Sequence, residues 1–255
     1  MKDLSDKTIL VTGSSKGIGA AIAKALGQSG AYVIAHYGSD RAGAEAVVAD
    51  TPAERVKLVQ ADLGETAEVE ALWREALEWR GRIDVLVNNA AIMRTTGGID
   101  DSDEAWDLVW DETWRVNVLA SCRLMRNAVR HYLANGGGTI VTLSSWAAQR
   151  GPGNPQLLTY SASKAAVMAA TKAIARNYAR ENILAYIIAP GVVRTQMSVD
   201  AAEAAGGEEV FTAGLAMGEW IPPTDLASLT TFLCSGTCRH LSGATIDVNG
   251  ATYIR

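Results

Sequence analysis

Tyr160 and Lys164 stand four residues apart in Tyr160-Ser161-Ala162-Ser163-Lys164, and on a helix that spacing places phenol and ammonium on one face, a turn apart. Such a pair can exchange a proton with a substrate oxygen. A free tyrosine ionises near pH ~10, so a phenol working at neutral pH needs nearby positive charge to favour its phenolate. Bringing it to neutrality takes roughly 4 kcal/mol of differential interaction, which a close lysine and a cationic cofactor would supply in a partly dry site. The same spacing also occurs on solvated helix faces, so the pair needs support from elsewhere in the chain.

That support comes from Thr12-Gly13-Ser14-Ser15-Lys16-Gly17-Ile18-Gly19. The apolar, β-branched run Thr8-Ile9-Leu10-Val11 before it reads as a buried strand, and Ala20-Ala21-Ile22-Ala23-Lys24-Ala25-Leu26 after it reads as a helix. Glycines let the backbone turn sharply and approach a ligand, while free amides at a helix start present positive potential to phosphate. A dinucleotide pyrophosphate suits such a turn. The spacing departs from Gly-x-Gly-x-x-Gly, because three residues separate the first two glycines and one separates the last two. A tight strand-to-helix connection is the plainer alternative for the same glycines.

The elements that must position these groups are legible as an alternation. Apolar runs near 8–12, 31–36, 56–60, 83–87, 139–143, 183–189 and 244–248 alternate with helix-like segments, which implies repeated βα units. The expected fold is therefore α/β: a Rossmann-like, doubly wound parallel sheet of about seven strands with helices on both faces. Right-handed crossovers would gather the strands' C-terminal ends along one edge, where ligands bind. The glycine turn, Asp62, Asn88, Ser145 and Pro190 all follow expected strands and so converge on one crevice.

With these residues in view, the chain resembles the single-domain short-chain dehydrogenases/reductases, particularly the branch with 3-oxoacyl-thioester reductases and similar alcohol dehydrogenases. The resemblance spans nearly the whole chain. It rests on Thr12 to Gly19, Asp62, Asn88-Asn89-Ala90, Asn117 in Arg115-Val116-Asn117-Val118, Ser144-Ser145, Tyr160 to Lys164, Pro190-Gly191 followed by Thr195, and Leu241 to Gly250, in the family's order. It implies reversible hydride transfer between a nicotinamide and a carbonyl or secondary alcohol. Tyr160 would protonate the alkoxide, Ser145 would hold the carbonyl oxygen, Lys164 would bind nicotinamide-ribose hydroxyls, and Asn117 would position a relay water. Gly13, Ser15, Lys16, Gly17, Ile18 and Gly19 would cradle the dinucleotide, with Tyr37, Asp62 and Leu63 on its adenosine side. Asn89 and Ala90, with Asn88 before them, would back the cofactor, and Pro190, Gly191, Val193 and Thr195 would cover the nicotinamide. Ser145, Trp146 and Tyr160 would meet the substrate, and homotetramers or dimers would form through the helices carrying Asn117 and Tyr160.

Cofactor choice depends on what meets the adenosine ribose, since a carboxylate there repels a 2′-phosphate. No acid ends the second strand: Ile34-Ala35-His36-Tyr37-Gly38-Ser39 precedes Asp40 and Arg41. Lys16 and Arg41 are placed to attract the extra phosphate, so NADP(H) is expected and NAD(H) stays open. Lys16 pointing to solvent and Arg41 capping a helix or pairing with an acid are the alternatives.

Two departures from the family pattern stand out. Relatives commonly carry glycine where Ala91 stands, and a methyl group is tolerated there only at negative φ. The segment from Trp146 to Thr159 is slightly long, and Ser145 is preferred to Ser144 because an alternating strand turns the two in opposite directions. Substrate identity should lie in a helical flap at about 196–221, with Trp146, Gln149, Met197 and Trp220 as candidate walls of an apolar pocket. Packing is the alternative for them, as for Trp73, Trp79, Trp106, Trp110 and Trp114.

Composition agrees with one domain over 1–255. Hydrophobic residues make up 48% of the chain, enough for a globular core, and a net charge of −5 gives no electrostatic reason to expect nucleic acid. Cys122, Cys234 and Cys238 form neither a secreted disulfide pattern nor a zinc set, so no metal is expected. The N-terminal segment has no long apolar core and no stretch would span a bilayer, so a cytoplasmic location and no membrane partner are expected. Two rival readings are an NAD-dependent sugar, polyol or secondary-alcohol dehydrogenase and a non-catalytic nucleotide-sensing protein.

Overall fold

In a computed structural model of the chain, residues 3–94, 98–204 and 206–255 are described. All seven expected strands form: β1 Thr8–Val11, β2 Tyr32–Tyr37, β3 Val56–Gln60, β4 Val85–Asn88, β5 Gly138–Leu143, β6 Ile183–Pro190 and β7 Thr245–Val248. Between them lie α1 Gly17–Gln28, α2 Arg41–Val48, α3 Thr66–Arg80, α4 Asp103–Thr113, α5 Ser121–Ala134, α6 Ala147–Arg150, α7 Leu158–Tyr178, α8 Gln196–Ala204, α9 Glu208–Ala213 and α10 Pro223–Cys234. A π-helical stretch, Trp114–Ala120, joins α4 to α5.

The strands pair in parallel in the order β3-β2-β1-β4-β5-β6-β7. The direction of winding reverses between β1 and β4, and such a switch point opens a crevice at the strands' carboxyl ends. Side chains alternate across the sheet. Ile9, Val11, Val33, Ala35, Val85 and Val87 enter one core with Ile22 and Leu26 of α1 and Leu226 and Leu233 of α10. Leu10, Ile34 and Leu86 enter the other with Leu72 of α3, Leu124 of α5 and Val167 of α7. Both faces are thus covered, which is why the strands read as near-continuous apolar runs. Burying each of these aliphatic side chains contributes about 1.5–3 kcal/mol.

Local chemistry sets the element ends. Gly81 follows α3 at φ 70° and donates its N–H to the Leu77 carbonyl, a left-handed cap that glycine adopts without Cβ strain. Asp40 caps α2 by accepting the Gly43 N–H at 2.9 Å, and Ser102 does the same for α4 from Ala105 at 3.3 Å. No helix among the described residues is long and apolar enough to cross a membrane.

Candidate active site

Tyr160 and Lys164 lie in the first turns of α7, packed against the end of β5 and α6. Tyr160 is half-buried and Lys164 is 5% exposed. The Lys164 Nζ sits 5.9 Å from the centre of the Tyr160 ring and donates to the Leu143 carbonyl at 2.8 Å. Burial pulls the lysine pKa down to about 8. It also pushes the phenol up to about 12, against a hydrogen bond with Ser145 that lowers it. Without the cationic cofactor that the expected lowering also needs, burial outweighs every other influence on the phenol. Desolvation disfavours the phenolate, and the ammonium is held on a carbonyl rather than on the phenolic oxygen.

Ser144 and Ser145 part as strand geometry requires. The Ser144 hydroxyl donates to the Lys164 carbonyl at 2.9 Å. Ser145 accepts the Ala147 N–H at 3.1 Å, which leaves its own proton free to be donated toward Tyr160. The two hydroxyls thus form a pair against which a carbonyl oxygen could rest.

Asn117 sits in the π-helical stretch, a local over-coiling that is found mostly at functional sites. Its Oδ1 accepts the Ile92 N–H at 2.8 Å, and its Nδ2 donates to the Ile92 carbonyl at 2.9 Å and to the Ser163 hydroxyl at 3.0 Å. Ser163 in turn donates to the Tyr160 carbonyl at 2.7 Å. The side chain thereby clamps the loop after β4 to the helix that bears the phenol. Ala91, beside this clamp, is not among the non-glycine residues with positive φ, so the methyl group meets the condition for being tolerated there and causes no strain.

The glycine turn leaves β1 along the same sheet edge. Gly13 and Gly17 have φ of 68° and 59°, in the left-handed region open to glycine at no cost. The Asn89 side chain donates to the carbonyls of Thr12 and Gly13 at 2.9 and 3.0 Å, and the Thr12 hydroxyl accepts the N–H groups of Asn89 and Ala90 at 3.0 and 3.1 Å. A side chain at Gly19 would overlap both the Gly13 carbonyl and the Asn89 amide. The Gly13 N–H is itself held by His36 at 3.0 Å. Gly13 therefore contributes its shape, while the first-turn amides of Gly17, Ile18 and Gly19, which have no partner within an α-helix, are the groups that could hold a phosphate. A Cβ at Gly17 would come within 3.2 Å of the Thr195 Cγ2, so the turn and the loop after β6 face each other closely. This cradle fits a dinucleotide pyrophosphate.

The remaining expected residues gather at the same edge. Tyr37 is buried at the end of β2, Leu63 is buried, and Asp62 is exposed, its carboxylate accepting the Gly64 N–H at 2.8 Å. Pro190 accepts the Trp146 N–H at 3.0 Å, Gly191 donates to Val248 at 2.9 Å, and Val193 bridges to Ile221. Lys16 and Ser15 lie at the turn, with Lys16 exposed. Arg41 pairs with Glu45 at 2.8 Å, which realises the acid-pairing alternative.

The segment after Thr195 folds as α8 and α9 around a third apolar cluster in which Trp146, Val199, Phe211 and Leu215 pack on Val192, Ala202 and Trp220. Trp220 donates its indole N–H to Thr212 at 2.7 Å, and Arg194 stacks 4.9 Å above its ring while pairing with Glu208 at 2.8 Å. Trp146 and Trp220 thus pack the flap onto the site. Gln149 donates to Asp247 at 2.8 Å. His36 and Ser163 escaped the sequence reading although both lie inside the quoted motifs, because nothing in residue type marks a buried hydrogen-bond bridge.

The chain has relatives that match it over nearly its full length. The family model described as enoyl-(acyl carrier protein) reductase matches residues 13–251. The chain is 34% identical over 250 residues to the 3-oxoacyl-[acyl-carrier-protein] reductase FabG of Staphylococcus aureus, covering 97% of this chain and 98% of that protein. It is 33% identical over 254 residues to dehydrogenase/reductase SDR family member 4 of Homo sapiens, covering 99% and 89%. The crystal structure of 3-ketoacyl-(acyl-carrier-protein) reductase from Brucella melitensis complexed with NADH superposes with a TM-score of 0.86 at 30% identity, covering 99% of this chain and 100% of that one. Motif order, sheet topology and these full-length matches together make the chain a member of the short-chain dehydrogenase/reductase family, an NAD(P)-dependent oxidoreductase acting on CH-OH and C=O groups.

Proposed function

We propose that the chain interconverts a ketone and a secondary alcohol with NADP(H), using Tyr160 as the general acid and base. The observation that carries this reading is that Tyr160 and Lys164 stand one turn apart on α7, held by the Lys164–Leu143 bond at the end of the strand that leads to Ser145, on the sheet edge that also bears the glycine turn. When bound, the nicotinamide supplies or accepts the hydride. In reduction, Tyr160 gives its proton to the developing alkoxide, and Ser145 donates to the same oxygen. Lys164 keeps donors beyond its Leu143 bond for ribose hydroxyls. Both Nδ2 protons of Asn117 are engaged while its Oδ1 accepts a single bond, so a relay water at that residue would have to donate to a carbonyl oxygen rather than accept from the side-chain amide. Gly17, Ile18 and Gly19 would hold the pyrophosphate, Asp62 and Leu63 the adenine, and Pro190, Gly191, Val193 and Thr195 the nicotinamide side. The apolar cluster around Trp146 and Trp220 supports a largely apolar ketone, and exposed Leu119, in the π-helical stretch that carries Asn117, supports homo-oligomers through the helices carrying Asn117 and Tyr160. A cytoplasmic site of action accords with this chemistry.

NADP(H) is favoured because Tyr37 rather than an acid ends β2 and because exposed Lys16 has no ion-pair partner among the described residues. The pairing of Arg41 with Glu45 weakens that case and keeps an NADH-dependent alcohol dehydrogenase as the second reading. Steady-state turnover of a ketone and alcohol panel with each nucleotide decides. A higher kcat/KM with NADPH supports the proposal, NADH preference replaces it with the second reading, and cofactor binding without turnover on any panel member would leave a nucleotide-binding role only.

A further inference from the structure

His36 stands where the glycine turn, β2 and the end of β3 meet, and it is 2% exposed. Its Nδ1 accepts the Gly13 N–H at 3.0 Å, and its Nε2 lies 3.1 Å from the Ala61 carbonyl. A ring that accepts at Nδ1 and faces a carbonyl at Nε2 carries its one proton on Nε2. Burial pulls its pKa down to about 4, so the ring is neutral at physiological pH. The His36 carbonyl also accepts from Ser14, from the N–H at 2.9 Å and from the hydroxyl at 2.8 Å. Two consecutive turn residues are thus tied to one residue of β2. The other side of its ring is tied to the residue before Asp62.

We propose that His36 is a positioning residue for dinucleotide binding. Its Nε2-protonated ring fixes the glycine turn, so that the amides of Gly17 and Ile18 face the pyrophosphate, and sets that turn at a defined distance from the Ala61–Asp62 segment that meets the adenosine. The proposal rests on the nicotinamide-dinucleotide reading above. His36 touches no reacting atom, and its effect passes through Gly13 and Asp62.

The two ring nitrogens have separate mimics. An asparagine amide oxygen can stand where Nδ1 stands, and a glutamine amide nitrogen can stand where Nε2 stands. The full chain and its His36→Phe, His36→Gln and His36→Asn variants are titrated with NADPH and NADH by fluorescence, with kcat, cofactor KM and melting temperature measured on the same samples. Loss of the Gly13 acceptor in His36→Phe and His36→Gln is expected to raise cofactor Kd and KM about tenfold, with kcat at saturating cofactor within about twofold of the parent. His36→Asn is expected to recover most of the affinity. A folded His36→Phe that binds as the parent does, a loss confined to kcat, or His36→Asn binding no better than His36→Gln would overturn the proposal. The last comparison decides even where His36→Phe does not fold. A parent chain that binds neither nucleotide would instead sink the cofactor reading on which the proposal stands.

Discussion

The Lys164 ammonium donates to the Leu143 carbonyl at 2.8 Å, so the lysine is anchored to the last residue of β5, two residues before Ser145. This anchoring ties α7 to the strand that carries the serine, and it holds the charge off the phenolic oxygen. Burial then dominates at Tyr160, whose pKa is pushed up to about 12. The group is the acid form throughout the neutral range, as ketone reduction requires. Alcohol oxidation requires the phenolate, whose population grows with pH, so its kcat should rise steadily from about pH 6 to about pH 9 while reduction stays level or falls. An oxidation rate that falls over that range in pH–rate profiles would contradict the role of Tyr160.

Tyr160→Phe removes the proton and retains the ring. Its kcat for reduction should fall by about 10²–10⁴-fold, with cofactor affinity by fluorescence titration changed little. Ser145→Ala should also lose kcat. Ser144→Ala should keep kcat and lose about 1 kcal/mol of stability, since it removes one buried bond to the Lys164 carbonyl. Equal kinetic losses in the two serine variants would reverse their assignment.

Sequence and structure agree most closely where burial sets the pattern. β6 is buried at all eight positions and was readable as an unbroken apolar run because parallel strands are covered on both faces. The same logic found the other six strands to within two residues at either end. Tyr160, Ser145 and the glycine turn could be singled out as candidates because chemistry restricts the residue types that such a site accepts. What the sequence could not show was which way a polar side chain turns. Gln149, a candidate wall residue by type, donates to Asp247, nearly one hundred residues away. His36 was read only as part of a strand end, yet it holds Gly13. Such bridges depend on register between distant segments, which residue type does not encode.

Gly19 tests the cradle. A methyl group there would overlap the Gly13 carbonyl and the Asn89 amide, and Asn89 already holds Gly13 and Thr12. Gly19→Ala should therefore displace the turn, weaken NADPH and NADH binding at least tenfold, and cost about 1–3 kcal/mol in denaturant unfolding. Parental affinity in that variant would show that the turn does not contact the dinucleotide.

Arg194 joins the loop after β6 to the flap, pairing with Glu208 at 2.8 Å and stacking on Trp220. Both charged side chains are largely solvent-accessible, so the pair contributes no more than about 1 kcal/mol, and Glu208→Gln should move the melting temperature by only a few degrees, roughly 2–4 °C or less. Its effect should be local. Limited proteolysis near Gly206 and Gly207 should speed up and substrate KM should rise, with cofactor KM unchanged. An altered cofactor KM would place the contact on the dinucleotide rather than on the flap.

His36 also makes stability depend on pH. Its pKa is about 4 in the folded chain against an ordinary 6.5, with burial the leading cause. Between those values the unfolded chain binds the proton and the folded chain does not, so stability rises with pH across the window. The contribution is fully present above about pH 6.5 and is lost as pH falls toward about 4, for a total of about 3 kcal/mol. His131 is shifted in the same direction by burial and adds to the trend. Urea unfolding of the parent and of His36→Asn at several pH values separates the two, because the variant lacks only the His36 titration. The parent's stability should fall relative to the variant's as pH drops from about 6.5 to about 4. A constant difference across that window would mean that His36 takes up its proton as readily in the folded chain as in the unfolded one, and the neutral bridge to Gly13 would go with it.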